Sequence, residues 1–173
     1  KVSELIKDKW LCDLSPYVFD IGNPTKGDIN YFIESNFDKN WGLSFHSKRV
    51  NAYSLFEIHL KNYKKEKTNI VPFLLLGEDY DSYGIDPFFL KLENFEKTKN
   101  SIGYVVQKYS MGYDFHNIDF IIFSDPKSSY QDIVQCIGRG LRSDKLGPYG
   151  KNESKTLKVM IPSYHEDGKE NNY

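Results

Sequence analysis

"IDFIIFSDPKSSYQDIVQCIGRGLR", residues 118–142, is the stretch on which the reading of this chain turns. Its opening run of apolar and aromatic residues reads as a buried strand over 118–125. Ser128 or Ser129 then starts a helix, with Gln131 or Asp132 three residues on as the second half of a capping box. Pro126 lies upstream, where it cannot interrupt the helical hydrogen bonds. At about 100° per residue, Gln131, Arg139 and Arg142 fall within about 40° of Gln135, while Val134, Ile137 and Leu141 fall on the opposite side. The helix therefore has an apolar face for a core and a narrow polar stripe aimed away from it. Gly138 and Gly140 each cost roughly 1 kcal/mol against alanine in a helix interior, which makes sense where a ligand or another backbone comes close. One reading is a solvated helix with ordinary surface arginines. The other is an anion site, because arginine keeps its charge and offers a planar fork of donors to phosphate oxygens. The stripe, the glycines and the glutamine together favour the second.

Outward from that stretch, strands and helices alternate. Strands are expected at 14–22, 41–46, 69–77, 101–108, 118–125 and 156–162, and helices at 1–9, 28–39, 49–67 and 86–99. Pro72 warns about where the third strand starts. Strands that look buried on both faces imply an α/β fold, with helices on both sides of a parallel sheet. Ligands of such sheets gather at the carboxyl ends of the strands. The loops to inspect follow His46, Gly77, Lys108 and Asp125. Residues 143–155 read as a surface loop.

The chain has 173 residues, 39% of them apolar and 16% aromatic, enough for one domain with a sizeable core. The net charge of −1 supplies no bulk attraction for nucleic acid, so any such binding must use local groups. Cys12 and Cys136 make neither a disulfide framework nor a metal-ligand pattern. Both read as reduced, and Cys136 as half-buried packing. His46, His59, His116 and His165 are scattered without metal spacing, so no metal site is expected, and most read as surface or packing histidines. No stretch approaches the length of a membrane span and no signal peptide opens the chain, so an intracellular protein with no membrane partner is expected.

"QKYSMGYDFHNID", residues 107–119, joins two strands and brings Ser110, Gly112 and Asp114 into one loop. Backbone amides near a glycine and a serine hydroxyl suit a phosphate, and an aspartate suits a ribose hydroxyl. Alone, the loop reads more readily as a plain glycine-containing connection capped by Asp114. Together, "YSMGYD", "IDFIIFSDP" and "SSYQDIVQCIGRGLR" resemble motifs V and VI of the superfamily 2 helicases. "WGLSFHSKRVNAYSL", residues 41–55, is similar to the looser motif IV. The resemblance covers residues 10–165 as a single RecA-like domain, the second and C-terminal one of such an enzyme. It is nearest to the type III restriction-like helicases and those of large DNA viruses.

That resemblance implies a role for each matching residue. Arg139 and Arg142 are the arginines that reach the ATP γ-phosphate across the interdomain cleft, Arg142 being the arginine finger. Gln135 links ATP to the first domain, and these three carry the catalytic contribution. Asp114 and Gly112 belong to the nucleotide site, with Asp114 near the ribose. Ser110 and Gly112 couple nucleotide to nucleic acid, while His46, Ser47 and Arg49 approach the nucleic-acid backbone. Motif V usually begins with threonine or serine where Gln107 and Lys108 stand here, and Lys108 then serves as a phosphate partner.

A helicase also needs a glycine-rich phosphate loop and an acidic Mg²⁺ motif. "GNPTKGD", residues 22–28, and "LLLGEDYD", residues 74–81, do not supply them. The expectation is a fragment, with 1–9 the end of a linker helix from an upstream RecA-like domain and 166–173 a tail. ATP and Mg²⁺ are then cofactors of the full-length protein, bound weakly by a monomeric fragment that is inactive alone. The partners implied are the upstream domain and a single-stranded DNA or RNA backbone, in cytoplasm or nucleus, or in a virion or viral factory if the source is viral. The alternative is a non-catalytic RecA-like nucleic-acid-binding module. Another nucleotide-binding α/β enzyme, such as a transferase, finds no nucleophile, catalytic dyad or dinucleotide fingerprint to support it.

Overall fold

The apolar runs expected to be strands assemble into one sheet. The structure, a computed structural model, describes residues 13–22, 26–77, 84–106, 117–124, 156–166 and 169–171, with side chains over 29–77, 84–106, 117–124 and 156–160. In chain order the elements are β1 (Asp13–Gly22), α1 (Lys26–Asn36), β2 (Trp41–His46), α2 (Arg49–Lys64), β3 (Val71–Leu75), a 3₁₀ turn (Pro87–Leu90), α3 (Leu92–Lys97), β4 (Ser101–Val106), β5 (Phe120–Phe123), β6 (Thr156–Glu166) and β7 (Lys169–Asn171). The sheet order is β1-β6-β5-β2-β4-β3, and every pairing along it is parallel. β7 adds an antiparallel pairing to the end of β6.

The period-2 alternation of the strands sorts their side chains between two apolar layers. Trp41, Leu43 and Phe45 of β2 join Phe73, Leu75, Phe95, Ile121 and Phe123 on one face. On the other face, Ile102, Tyr104, Phe120 and Ile122 meet Ile33 of α1 and Ala52, Leu55, Phe56 and Leu60 of α2. Helices thus cover both faces, as a parallel sheet requires. Gly42 sits where an edge-to-face aromatic pair, Phe37 and Phe120, lies down on β2. A Cβ there would meet the Phe37 ring at 2.9 Å and the Phe120 ring at 3.0 Å.

Three departures from the sequence reading have physical causes. The third strand starts at Val71 rather than 69. The helix expected over 86–99 is broken: Asp86 caps the 3₁₀ turn by accepting from the Phe88 N–H, and Lys91 is extended before α3 begins. The break lets Phe88, Phe89 and Phe95 all pack against Phe73. In one continuous helix Phe89 and Phe95 would point about 120° apart. Finally, β6 runs on to Glu166, and the stretch expected to be a tail contributes β7. The helices expected at 1–9 and from 128 onward lie outside the described residues.

Candidate functional site at the carboxyl edge of the sheet

Because its six main strands are parallel, the sheet has one carboxyl edge. β2 lies at its centre with β4 on one side and β5 on the other, His46 opposite Val106 and Phe45 opposite Phe123. Adjacent strands are about 4.8 Å apart, so three chain exits stand side by side within about 10 Å. Ser47–Arg49 follow β2, residues 107–116 follow β4, and the stretch bearing Gln135, Arg139 and Arg142 follows β5. The three segments singled out in the sequence leave the sheet from neighbouring strands. Lys108, Ser110, Gly112, Asp114, Gln135, Arg139 and Arg142 themselves lie outside the described residues.

Past β2 the edge is basic. Ser47, Lys48, Arg49 and Val50 are exposed. Lys48 is the N-cap of α2 in extended conformation, with no side-chain cap and no acidic residue in the first helical turn. The amino end of a helix carries partial positive charge on its unpaired N–H groups, and Lys48 and Arg49 add to it. Ser47 and Arg49 are placed where an anionic backbone could meet them. His46 is not. Its side chain is fully buried, with Nε2 2.9 Å from the Ser44 hydroxyl, so it is not presented to a ligand as the sequence reading expected. The cause is the pleat: His46 shares the parity of Gly42 and Ser44 and faces the layer under α2.

That layer holds a polar seam the sequence reading missed. The Ser44 hydroxyl also meets the Ser124 hydroxyl at 2.5 Å. The His46 ring lies against Tyr104, whose hydroxyl is 2.7 Å from His59 Nδ1. His59 Nε2 donates in turn to the Ile70 carbonyl at 2.8 Å, which leaves Nδ1 to accept from Tyr104. Ser44, His46, His59, Tyr104 and Ser124 are all buried. The signal in the sequence was the parity of Gly42, Ser44 and His46, three residues that are not aliphatic on one face of an otherwise apolar strand.

Burial lowers the His59 pKa from its ordinary 6.5 to about 4, partly opposed by the Ile70 carbonyl bond. Tyr104 is pushed well above its ordinary range by burial, then by the charge of Glu34. Because His59 binds its proton more weakly in the folded than in the unfolded state, stability is complete above about pH 6.5 and falls as the pH drops toward about 4. The loss expected across that window is about 3 kcal/mol, and His59→Asn should flatten that part of the stability profile, read by urea unfolding at stepped pH.

Among the described residues, no cluster of three histidine, cysteine or acidic side chains could hold a metal ion. Among them, too, no helix is long and apolar enough to cross a membrane.

No protein-family model matches the chain. A Saccharomyces cerevisiae protein, IRC3, whose name places it among ATP-dependent helicases, is 27% identical over 164 residues, 82% of this chain and 23% of its own length. Among solved structures, Cas3 of T. fusca superposes with a TM-score of 0.58 at 13% identity, over 90% of this chain and 19% of its own. The ATP-dependent Type ISP restriction-modification enzyme LlaBIII, solved bound to DNA, gives 0.56 at 15% identity, over 97% of this chain and 13% of its own. The chain thus spans under a quarter of each of these proteins.

Proposed function

We propose that the chain is a RecA-like domain of the superfamily 2 helicase kind, and that it is the second, C-terminal motor domain of an ATP-dependent helicase or translocase. The observation that carries this reading is the adjacency of the β2, β4 and β5 exits, each leading into one motif-like segment. The helicase-named relative and the parallel RecA-like fold support it.

In this reading Arg139 and Arg142 approach the γ-phosphate of ATP bound by an upstream RecA-like domain, with Arg142 as the finger. Gln135 bridges to that domain, Asp114 sits by the ribose, and Gly112 belongs to the same nucleotide site. Two guanidinium forks and an amide that donate to phosphate oxygens, with a carboxylate that accepts from a ribose hydroxyl, form a set suited to a nucleotide. When bound, ATP with Mg²⁺ supplies the phosphoryl group and its charge neutralisation. The upstream domain supplies the acidic Mg²⁺ motif, which "LLLGEDYD", residues 74–81, does not match. Ser47, Arg49, Lys108 and Ser110 grip one DNA or RNA strand by its backbone, which needs little net charge and reads no sequence. The protein works inside the cell, and this chain alone hydrolyses no ATP at a useful rate.

The test is ATP turnover by the protein of the full open reading frame, with and without single-stranded oligo-dT or oligo-U. Stimulated turnover, together with silence of the isolated 173-residue chain, is the expected result. Absence of turnover in the full protein sinks the motor reading and leaves a nucleic-acid-binding platform.

A further inference from the structure

We propose that Ser44 and Ser124 are positioning residues that lock the exit of β5 to the exit of β2. The chain that leads on to Gln135, Arg139 and Arg142 and the chain that leads on to Ser47 and Arg49 thereby leave the sheet in one register. This rests on the motor reading above.

The backbone ladder between β2 and β5 ends at Phe45 and Phe123, with the Ser124 N–H donating to the Phe45 carbonyl at 3.1 Å. Both chains leave the sheet just beyond. The hydroxyl pair stands at that last step, joining the strands where main-chain pairing stops. The pair is buried: Ser44 is 0% and Ser124 1% exposed. Around it the same face carries Ile102, Val106, Phe120 and Ile122. Buried hydroxyls in such a row gain nothing over alanine from burial and must be bonded to be tolerated.

Their chemistry adds direction. The Ser44 hydroxyl has one proton and two neighbours, the Ser124 hydroxyl and His46 Nε2. It donates to one and accepts from the other, so the three groups orient together. The seam continues through the His46–Tyr104 ring contact and the Tyr104–His59 bond to α2, the helix whose amino end presents Arg49. A displacement of either exit by more than a few tenths of an ångström takes the Ser44–Ser124 bond out of range. A row of alanines would fill the space without that constraint. The arrangement is therefore suited to transmitting a shift at one segment to the other.

The experiment uses the full-length protein as wild type, Ser44→Ala, Ser124→Ala, the double variant and Ser124→Thr. ATP turnover is measured without nucleic acid and with saturating oligo-dT or oligo-U, beside the thermal midpoint. Ser44→Ala should keep unstimulated turnover within about twofold and lower the stimulation about five- to tenfold, the scale of coupling carried by such a network. The double variant should match Ser44→Ala, because the chain is already broken. Ser124→Thr keeps a hydroxyl and should keep the stimulation. If Ser44→Ala does not fold, Ser124→Ala at the strand end carries the same comparison. Full stimulation in the alanine variants overturns the proposal. So does a proportional fall of both rates that follows a lowered thermal midpoint, since that is the mark of a merely structural role. Wild-type protein without any stimulation overturns the motor reading and this proposal together; stimulated wild type with unaffected serine variants overturns this proposal alone.

Discussion

Arg142→Ala in the full-length protein is expected to lower ATP turnover by about 10³–10⁵, the range seen when an arginine finger is removed. The loss should appear in kcat, because the guanidinium stabilises charge that develops as the phosphoryl group transfers. Binding of a single-stranded oligonucleotide should change little, since Arg142 follows β5 and not the basic edge after β2. Arg142→Lys should recover little of the rate, because an ammonium lacks the planar fork. The check is a steady-state titration of ATP on both variants with oligo-dT present. A turnover number within tenfold of wild type for Arg142→Ala would remove Arg142 from the site.

Asp119→Ala should give the largest loss of stability. Asp119 is fully buried at the opposite, amino edge of the sheet. Its carboxylate accepts from the Asn40 N–H at 3.1 Å and from the Trp41 N–H at 2.9 Å. Its own N–H donates to the Trp41 carbonyl, and its carbonyl accepts from Lys158. One residue therefore sets where β2 and β5 begin and where β6 first meets β5. Removing the carboxylate leaves two main-chain donors without their acceptor, at a cost of about 2–5 kcal/mol. For a chain of this size that lowers the thermal midpoint by roughly 5–20 °C. Asp119→Asn keeps one acceptor oxygen and should lose less. Calorimetry of the 173-residue chain measures both, and an unchanged midpoint in Asp119→Ala would show that the pinning is dispensable.

The strands were legible because the runs around Phe45, Phe73, Val105 and Ile121 are too apolar and too short for anything else, and their alternation with helical segments implied a parallel sheet. The order β1-β6-β5-β2-β4-β3 was not legible, since no residue in one strand names its neighbour. The break at Lys91 was hidden for a similar reason. Phe88, Leu92 and Phe95 carry a helical period, and the residue that interrupts it is Phe73, on a strand a dozen or more positions away in sequence. β7 was missed because "KEN" is polar and gains its place from the hairpin with β6. At the site, the motif-like segments were matched to strand ends, and the structure sets the ends of β2, β4 and β5 side by side. That matching could not tell which side of the pleat His46 takes. The parity of Gly42, Ser44 and His46 held that information, and so did the serine at the end of β5, once the two strands were known to be adjacent.

The placement of β6 between β5 and β1 has a consequence for how the chain is made. β1 pairs with β6, Asp13 opposite Thr156, so the first strand finds its partner only after some 130 further residues. At ribosomal rates of roughly 5–20 residues per second, it waits on the order of ten seconds. The half-sheet of β2, β3 and β4 spans residues 41–106 and can close early, because its contacts are near in sequence. Until β6 is synthesised, β5 offers a bare edge to any strand within reach. Nascent copies crowded on one messenger would therefore be the ones at risk of exchanging their final strands.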